Sequence, residues 1–247
     1  MDTASPLQIH YEDNHLIAVE KPAGMLTQGD ASGAVSLMDM VKDYIKTRYN
    51  KPGNVFLGMV HRLDKPVSGI VMFAKTSKGA SRLSRSFASR ETLKLYLALV
   101  KQQGKEDKYA VSESQWITVE QFLRRENNRS VIYDNPRDGA KNVSLSYKQV
   151  TRGKDYRLFA VNLHTGRKHQ IRAQLAHAGF PIVNDTAYGA GKDGPAGKIG
   201  LHAYFLRIPH PTKKISVDIL SEPPDFITGR LSCNNIEELI NEIAGDS

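Results

Sequence analysis

Three groups of residues in this 247-residue chain could do chemistry together: Asp64, Tyr96, and the cations Arg167, Lys168, His169 and Arg172. An aspartate taken out of water is costly unless a cation is paired with it. An arginine can meet it bidentately and keep it ionised at neutral pH. A positioned, ionised carboxylate can attack an electrophilic carbon, as in glycosyl transfer, and a nearby tyrosine can move a proton.

Other chemistries find less support. His61, His164, His169, His177 and His202 form no H-E-x-x-H pattern, and no second carboxylate sits at ligand spacing, so no metal is expected. Neither G-x-G-x-x-G nor a P-loop occurs, and no cofactor is expected. A retaining glycosidase needs two carboxylates flanking the bond, and only Asp64 has a recognisable setting.

The elements that must position these groups can be read from local patterns. Asp64 lies in a polar loop, His61 to Gly69, closed by the turn-formers Pro66 and Gly69 and followed by the apolar run Ile70 to Ala74. A loop anchored by such a buried strand is rigid yet open, which suits a reacting side chain. Leu93 to Lys101 alternates with a period of two, so Leu93, Leu95, Leu97 and Leu99 face the core and Tyr96 projects from the opposite, half-exposed face. His164 to Arg172 opens a helix running to about Ala178, capped by Gly179. Its first turn is crowded with cations where the helix dipole favours anions, so a carboxylate or phosphates should sit against it.

Elsewhere, Leu7 to Lys21 holds two short strands around Glu12-Asp13-Asn14. Ser36 caps a helix, and a second helix spans about Ser77 to Arg90. On that second helix Lys78, Arg82, Arg85 and Ser89 line one face as a basic stripe that could hold phosphates. Further strands are expected at Trp116–Phe122, Ser144–Val150, Tyr156–Leu163, Gly200–Ile208 and Lys214–Leu220, with polar loops at 102–110, 124–129 and 135–142 and a terminal helix from about Ile236. Strands in succession without regular helical crossovers argue for an α+β class, with a mixed, mainly antiparallel central sheet flanked by helices and loops.

Lys and Arg number 34 against 26 Asp and Glu, a net charge of +8, which favours a polyanionic partner, nucleic acid first. Cys233 is the only cysteine, which excludes disulfides and thiolate zinc sites. The N-terminus lacks signal-peptide regions and no apolar run reaches membrane-spanning length, so the cytoplasm is expected and a membrane is not.

Taken together, the motifs resemble those of the RluA-like family of RNA pseudouridine synthases, over nearly the whole chain. Tyr11 to Gly24 is similar to the family's opening motif with its Lys-Pro-(Ala/Ser)-Gly ending. H-R-L-D-x-x-T-S-G falls on His61–Gly69, K-x-Y-x-A-L-V on Lys94–Val100 and G-R-T-H-Q-I-R on Gly166–Arg172. Leu175 to Gly189 and Leu201-His202-Ala203 also match. Two residues depart from the pattern: Val67 replaces a Thr and Lys168 replaces the Thr before His169.

The resemblance implies that uridine within ribosomal or transfer RNA is isomerised to pseudouridine. Asp64 would be the nucleophile, at the ribose or at C6 of the base, Tyr96 the proton-transfer and stacking residue, and Arg172 the cation holding Asp64 ionised. The uridine would be flipped out of its stack, with Arg62 filling the gap. His61, Arg62, Leu63, Lys75, Arg82, Arg85, Arg167, Lys168, His169, Gln170 and Leu201 make up the expected substrate- and RNA-binding set. The resemblance further implies a single catalytic domain over 1–247 without an N-terminal S4-type RNA-binding domain, acting as a monomer with no obligatory protein partner. The rival is an RNA-binding protein that keeps the fold without turnover, and binding alone would not need Asp64, Tyr96 and Arg172 together.

Overall fold

Asp13 makes the first turn. Its carboxylate accepts the N–H groups of His15 and Leu16, folding strand β1 (Ile9–Glu12) back on β2 (Leu16–Lys21). In the computed structural model, which describes residues 7–101, 111, 113–127, 129–230, 240 and 242, the elements then follow in this order. Helix α1 (Leu37–Arg48) leads to the short strand β3 (Gly58–Met59), to β4 (Ser68–Ala74) and to helix α2 (Ser77–Ala88). Strands β5 (Leu93–Lys101), β6 (Ile117–Glu126), β7 (Arg129–Tyr133), β8 (Lys141–Arg152) and β9 (Tyr156–Leu163) come next. Helix α3 (Gln170–His177), strands β10 (Leu201–Pro209) and β11 (Ser216–Leu220), and the short helix α4 (Asp225–Thr228) complete the described elements.

These residues form two compact units, divided after Thr92. The first runs to Thr92 and takes in Leu206–Ser221; the second holds Leu93–Phe205 and the residues from Glu222 onward, so β10 contributes residues to both.

In the first unit β2 pairs antiparallel with β4, from Leu16 opposite Ala74 to Lys21 opposite Gly69. Every residue of β4 is buried, which explains why Ile70 to Ala74 reads as an unbroken apolar run: both faces are covered. Leu16, Ala18, Ile70, Met72, Leu83, Leu206, Ile208, Val217 and Ile219 form the core. Ser36 caps α1 reciprocally with Asp39, and Thr76 caps α2 through the N–H of Gly79.

The second unit orders its strands β5-β9-β8-β6-β7, each pairing antiparallel. The α+β class expected from the sequence is the class observed. Three local expectations are corrected here. Residues 124–129 are not simply a loop, because β6 continues to Glu126 and Arg124 lies opposite Val131 in β7. Charged residues such as Glu120, Arg125 and Arg129 are exposed on this hairpin, while Leu123 and Ile132 turn inward to pack with Val143 and Ala173. Tyr96 is not on a half-exposed face: both faces of β5 are covered, leaving Tyr96 and Lys94 each 8% exposed.

The third correction concerns α3, which begins only at Gln170. His169 precedes it in the left-handed region (φ 56°), so Arg167 and Lys168 stand before the helix and Arg172 is the cation inside its first turn. The loop at 102–110 lies outside the described residues, as does the helix expected from about Ile236 except at residues 240 and 242, which are helical.

Candidate active site

Asp64 belongs to the first unit, Tyr96 and Arg172 to the second, and each half is built by its own contacts.

Asp64 is half-buried in the loop leading into β4. Its own carbonyl accepts the N–H of Val67 at 3.0 Å, closing a turn. Before it, buried Leu63 is gripped by Thr27, whose hydroxyl donates to the Leu63 carbonyl at 2.9 Å and accepts its N–H at 3.2 Å. After it, the Lys65 carbonyl accepts the N–H of Gly24 at 2.7 Å and an N–H of Lys21 Nζ at 3.2 Å. Lys21 Nζ also donates to the carbonyls of Pro22 at 3.0 Å and Met25 at 2.8 Å. Lys21 is wholly buried, and burial pushes its pKa down to about 8 against the opposing charges of Asp64 and Glu20. His61 Nε2 accepts the N–H of Met72 at 2.9 Å while its ring stacks on Phe87 at 5.0 Å, so this imidazole ties the loop to β4.

Arg62 and Arg85 are exposed. Two other members of the expected set have protein partners. Lys75 Nζ lies 2.6 Å from Glu12 and 4.6 Å above the Tyr49 ring, and Arg82 Nη1 donates to the Pro211 carbonyl at 2.5 Å.

In the second unit β5 sets Tyr96 opposite Val161 of β9. Arg172 is 6% exposed and meets Asp185 bidentately, Nε to Oδ2 at 2.7 Å and Nη2 to Oδ1 at 2.8 Å. This is the anion that a cation in the first turn of a helix was expected to require, and it is a carboxylate of the chain itself. Asp185 is 1% exposed, held where its N–H bonds Ile182 and its carbonyl accepts the N–H of Tyr188. The guanidinium lies 5.1 Å from the Tyr188 ring, and the Tyr188 hydroxyl bonds His169 Nδ1 and accepts the N–H of Ser130, both at 3.0 Å.

Gln170 is 2% exposed. Its amide oxygen accepts the Arg167 N–H and the Thr165 hydroxyl, and its amide nitrogen donates to Ser144 and Gln174. It braces the loop rather than presenting a polar group to solvent. Leu201 is 3% exposed, whereas Arg167 and Lys168 are exposed.

Lys21, Thr27, Asp185 and Tyr188 were not assigned from the sequence. Lys21 and Asp185 do lie in stretches quoted for the family likeness, Tyr11–Gly24 and Leu175–Gly189. A lysine ending an apolar strand and an aspartate in a glycine-rich loop show no sign of burial in the sequence.

Comparison with known proteins shows the family. The family model described as RNA pseudouridylate synthase matches residues 15–177. The chain is 34% identical over 233 residues to a tRNA pseudouridine synthase C of Vibrio vulnificus, covering 87% of this chain and 90% of that protein. It is 31% identical over 209 residues to a ribosomal large subunit pseudouridine synthase D of Borreliella burgdorferi, covering 82% of this chain but spanning only 61% of that protein. A solved structure titled human RNA pseudouridylate synthase domain containing 1 shares the fold, with a TM-score of 0.73, 21% identity, and coverage of 99% of this chain and 98% of that one. With the family model matched across both units and a relative matched over nearly its full length, this chain belongs to the RluA-like family of RNA pseudouridylate synthases.

Proposed function

We propose that this chain isomerises uridine to pseudouridine at specific positions of ribosomal or transfer RNA, with Asp64 as the nucleophile. The observation that carries the assignment is the pinning of the backbone on both sides of a half-buried Asp64, which fixes the direction from which its carboxylate leaves the chain. The relatives named above include one named for transfer RNA and one named for ribosomal RNA, which supports both substrate classes.

In this reaction Asp64 attacks the nucleotide, the N1–C1′ bond breaks, the uracil turns so that C5 bonds C1′, and the bond to Asp64 breaks again to free the carboxylate. The proton on C5 then leaves and N1 gains one, so no electrons are exchanged and no group donor is consumed. Tyr96 is the candidate for moving that proton, and its burial on β5 gives it a fixed direction. Arg172 is the proposed cationic partner of Asp64, and Asp185 already orients its guanidinium. Arg62 fills the gap left by the flipped base, and exposed Arg85, Arg167 and Lys168 follow the phosphates.

The protein acts in the cytoplasm, as a monomer and without an obligatory protein partner. No described helix is long and apolar enough to cross a membrane. Pseudouridine mapping of ribosomal and transfer RNA in cells with and without this gene tests the proposal. Defined sites should vanish on deletion, return with the wild-type gene and stay absent with Asp64→Ala. Identical maps with and without the gene would refute it.

A further inference from the structure

We propose that the Thr27 hydroxyl is a positioning group for the reaction, aiming the Asp64 carboxylate by holding the peptide that leads into it; this rests on Asp64 being the nucleophile. Three successive carbonyls, those of Leu63, Asp64 and Lys65, are each held by a donor: Thr27 Oγ1 at 2.9 Å, Val67 N at 3.0 Å and Gly24 N at 2.7 Å. Peptide planes are rigid, so holding those on either side of Asp64 fixes the direction of its Cα–Cβ bond. Thr27 bonds both the N–H and the C=O of Leu63, from 36 residues upstream.

Thr27 is itself firmly placed. Its carbonyl and that of Leu26 accept the first N–H groups of α1, Met38 at 3.1 Å and Leu37 at 2.9 Å. The α1 N-terminus, residues 26–27 and the Asp64 loop therefore form one hydrogen-bonded block. Val67, where the family pattern has a threonine, is 3% exposed and brings no hydroxyl to the loop. Thr27, 4% exposed, supplies one from outside it.

The test uses the full-length protein and, as probe, ribosomal and transfer RNA tritiated at uracil C5 from cells lacking the gene. Bonding C5 to C1′ expels the C5 hydrogen, so tritium release reports turnover. Thr27→Val removes the hydroxyl at nearly constant size. It should slow single-turnover release at saturating enzyme by about tenfold or more, because a small misplacement of a reacting group is costly. RNA affinity should stay within about twofold, the pattern of a lost transition-state interaction. Hydrogen exchange at the Leu63 amide should accelerate in the same variant.

Thr27→Ser should recover most of the rate and Thr27→Ala should not, and this pair decides the matter even if the valine variant unfolds. Wild-type rates in Thr27→Val, or equal rates in the serine and alanine variants, would overturn the proposal. Wild-type release by Asp64→Ala would instead overturn the reading on which it rests.

Discussion

Arg172 and Asp185 meet by two parallel hydrogen bonds, at 2.7 and 2.8 Å, with their side chains 7% and 1% exposed. The pair sits at the N-terminal end of α3, where the helix dipole alone would disfavour a guanidinium. Asp185 thus makes it possible for a buried arginine to stand at this end of the helix.

Asp185→Asn should therefore be strongly destabilising. Removing one partner of a buried ion pair leaves an uncompensated charge and costs about 3 to 5 kcal/mol. Urea unfolding of the variant should show a loss of that order, together with a reduced rate of pseudouridine formation in whatever folds. Arg172→Lys keeps the charge but cannot form the fork, and should also turn over slowly.

Lys21 predicts opposite pH trends for rate and stability. Its ammonium has three N–H donors for three carbonyls, and the neutral amine has two. Since its pKa is lowered to about 8, raising the pH through that value should loosen the Lys65 peptide and slow the reaction. Stability moves the other way. The folded pKa lies below the unfolded value, so between about pH 8 and 10.4 the unfolded chain binds more protons and folding gains as pH rises. That contribution is full above the unfolded pKa and is lost as pH falls through about 8. Subtracting the profiles of Lys21→Met from those of the wild type, by single-turnover rate and denaturant unfolding, should reveal both trends.

The RNA contacts should separate into two kinds. Exposed Arg85 and Lys168, changed singly to alanine, should weaken RNA binding and reduce the salt dependence of log K by about one unit each. Arg82→Ala should instead lower thermal stability, because Arg82 holds the Pro211 carbonyl of the β10–β11 connection. Filter binding across a salt series and thermal melts of the three variants would distinguish these roles.

The contrast between these residues shows what the sequence could tell. Strands β5 and β9 were legible to the residue, because alternation and flanking loops are local signals. The basic helix stripe was legible as a pattern, yet its members differ in ways no pattern reveals, Arg82 being tied down and Arg85 exposed. The β6–β7 hairpin was hidden by its exposed charged residues, which look like loop composition. Among the proposed site residues, Asp64, Tyr96 and Arg172 stood out through their motifs. Their supports did not, since Thr27 reaches Leu63 and Asp185 reaches Arg172 through folding that brings distant segments together.

Central to all of this is Asp64 as the nucleophile. The most direct measurement is tritium release from C5-labelled ribosomal and transfer RNA by purified Asp64→Ala, with RNA affinity measured on the same preparation. RNA binding within about twofold of wild type, with no release above background, is the expected result. Release at the wild-type rate would contradict it.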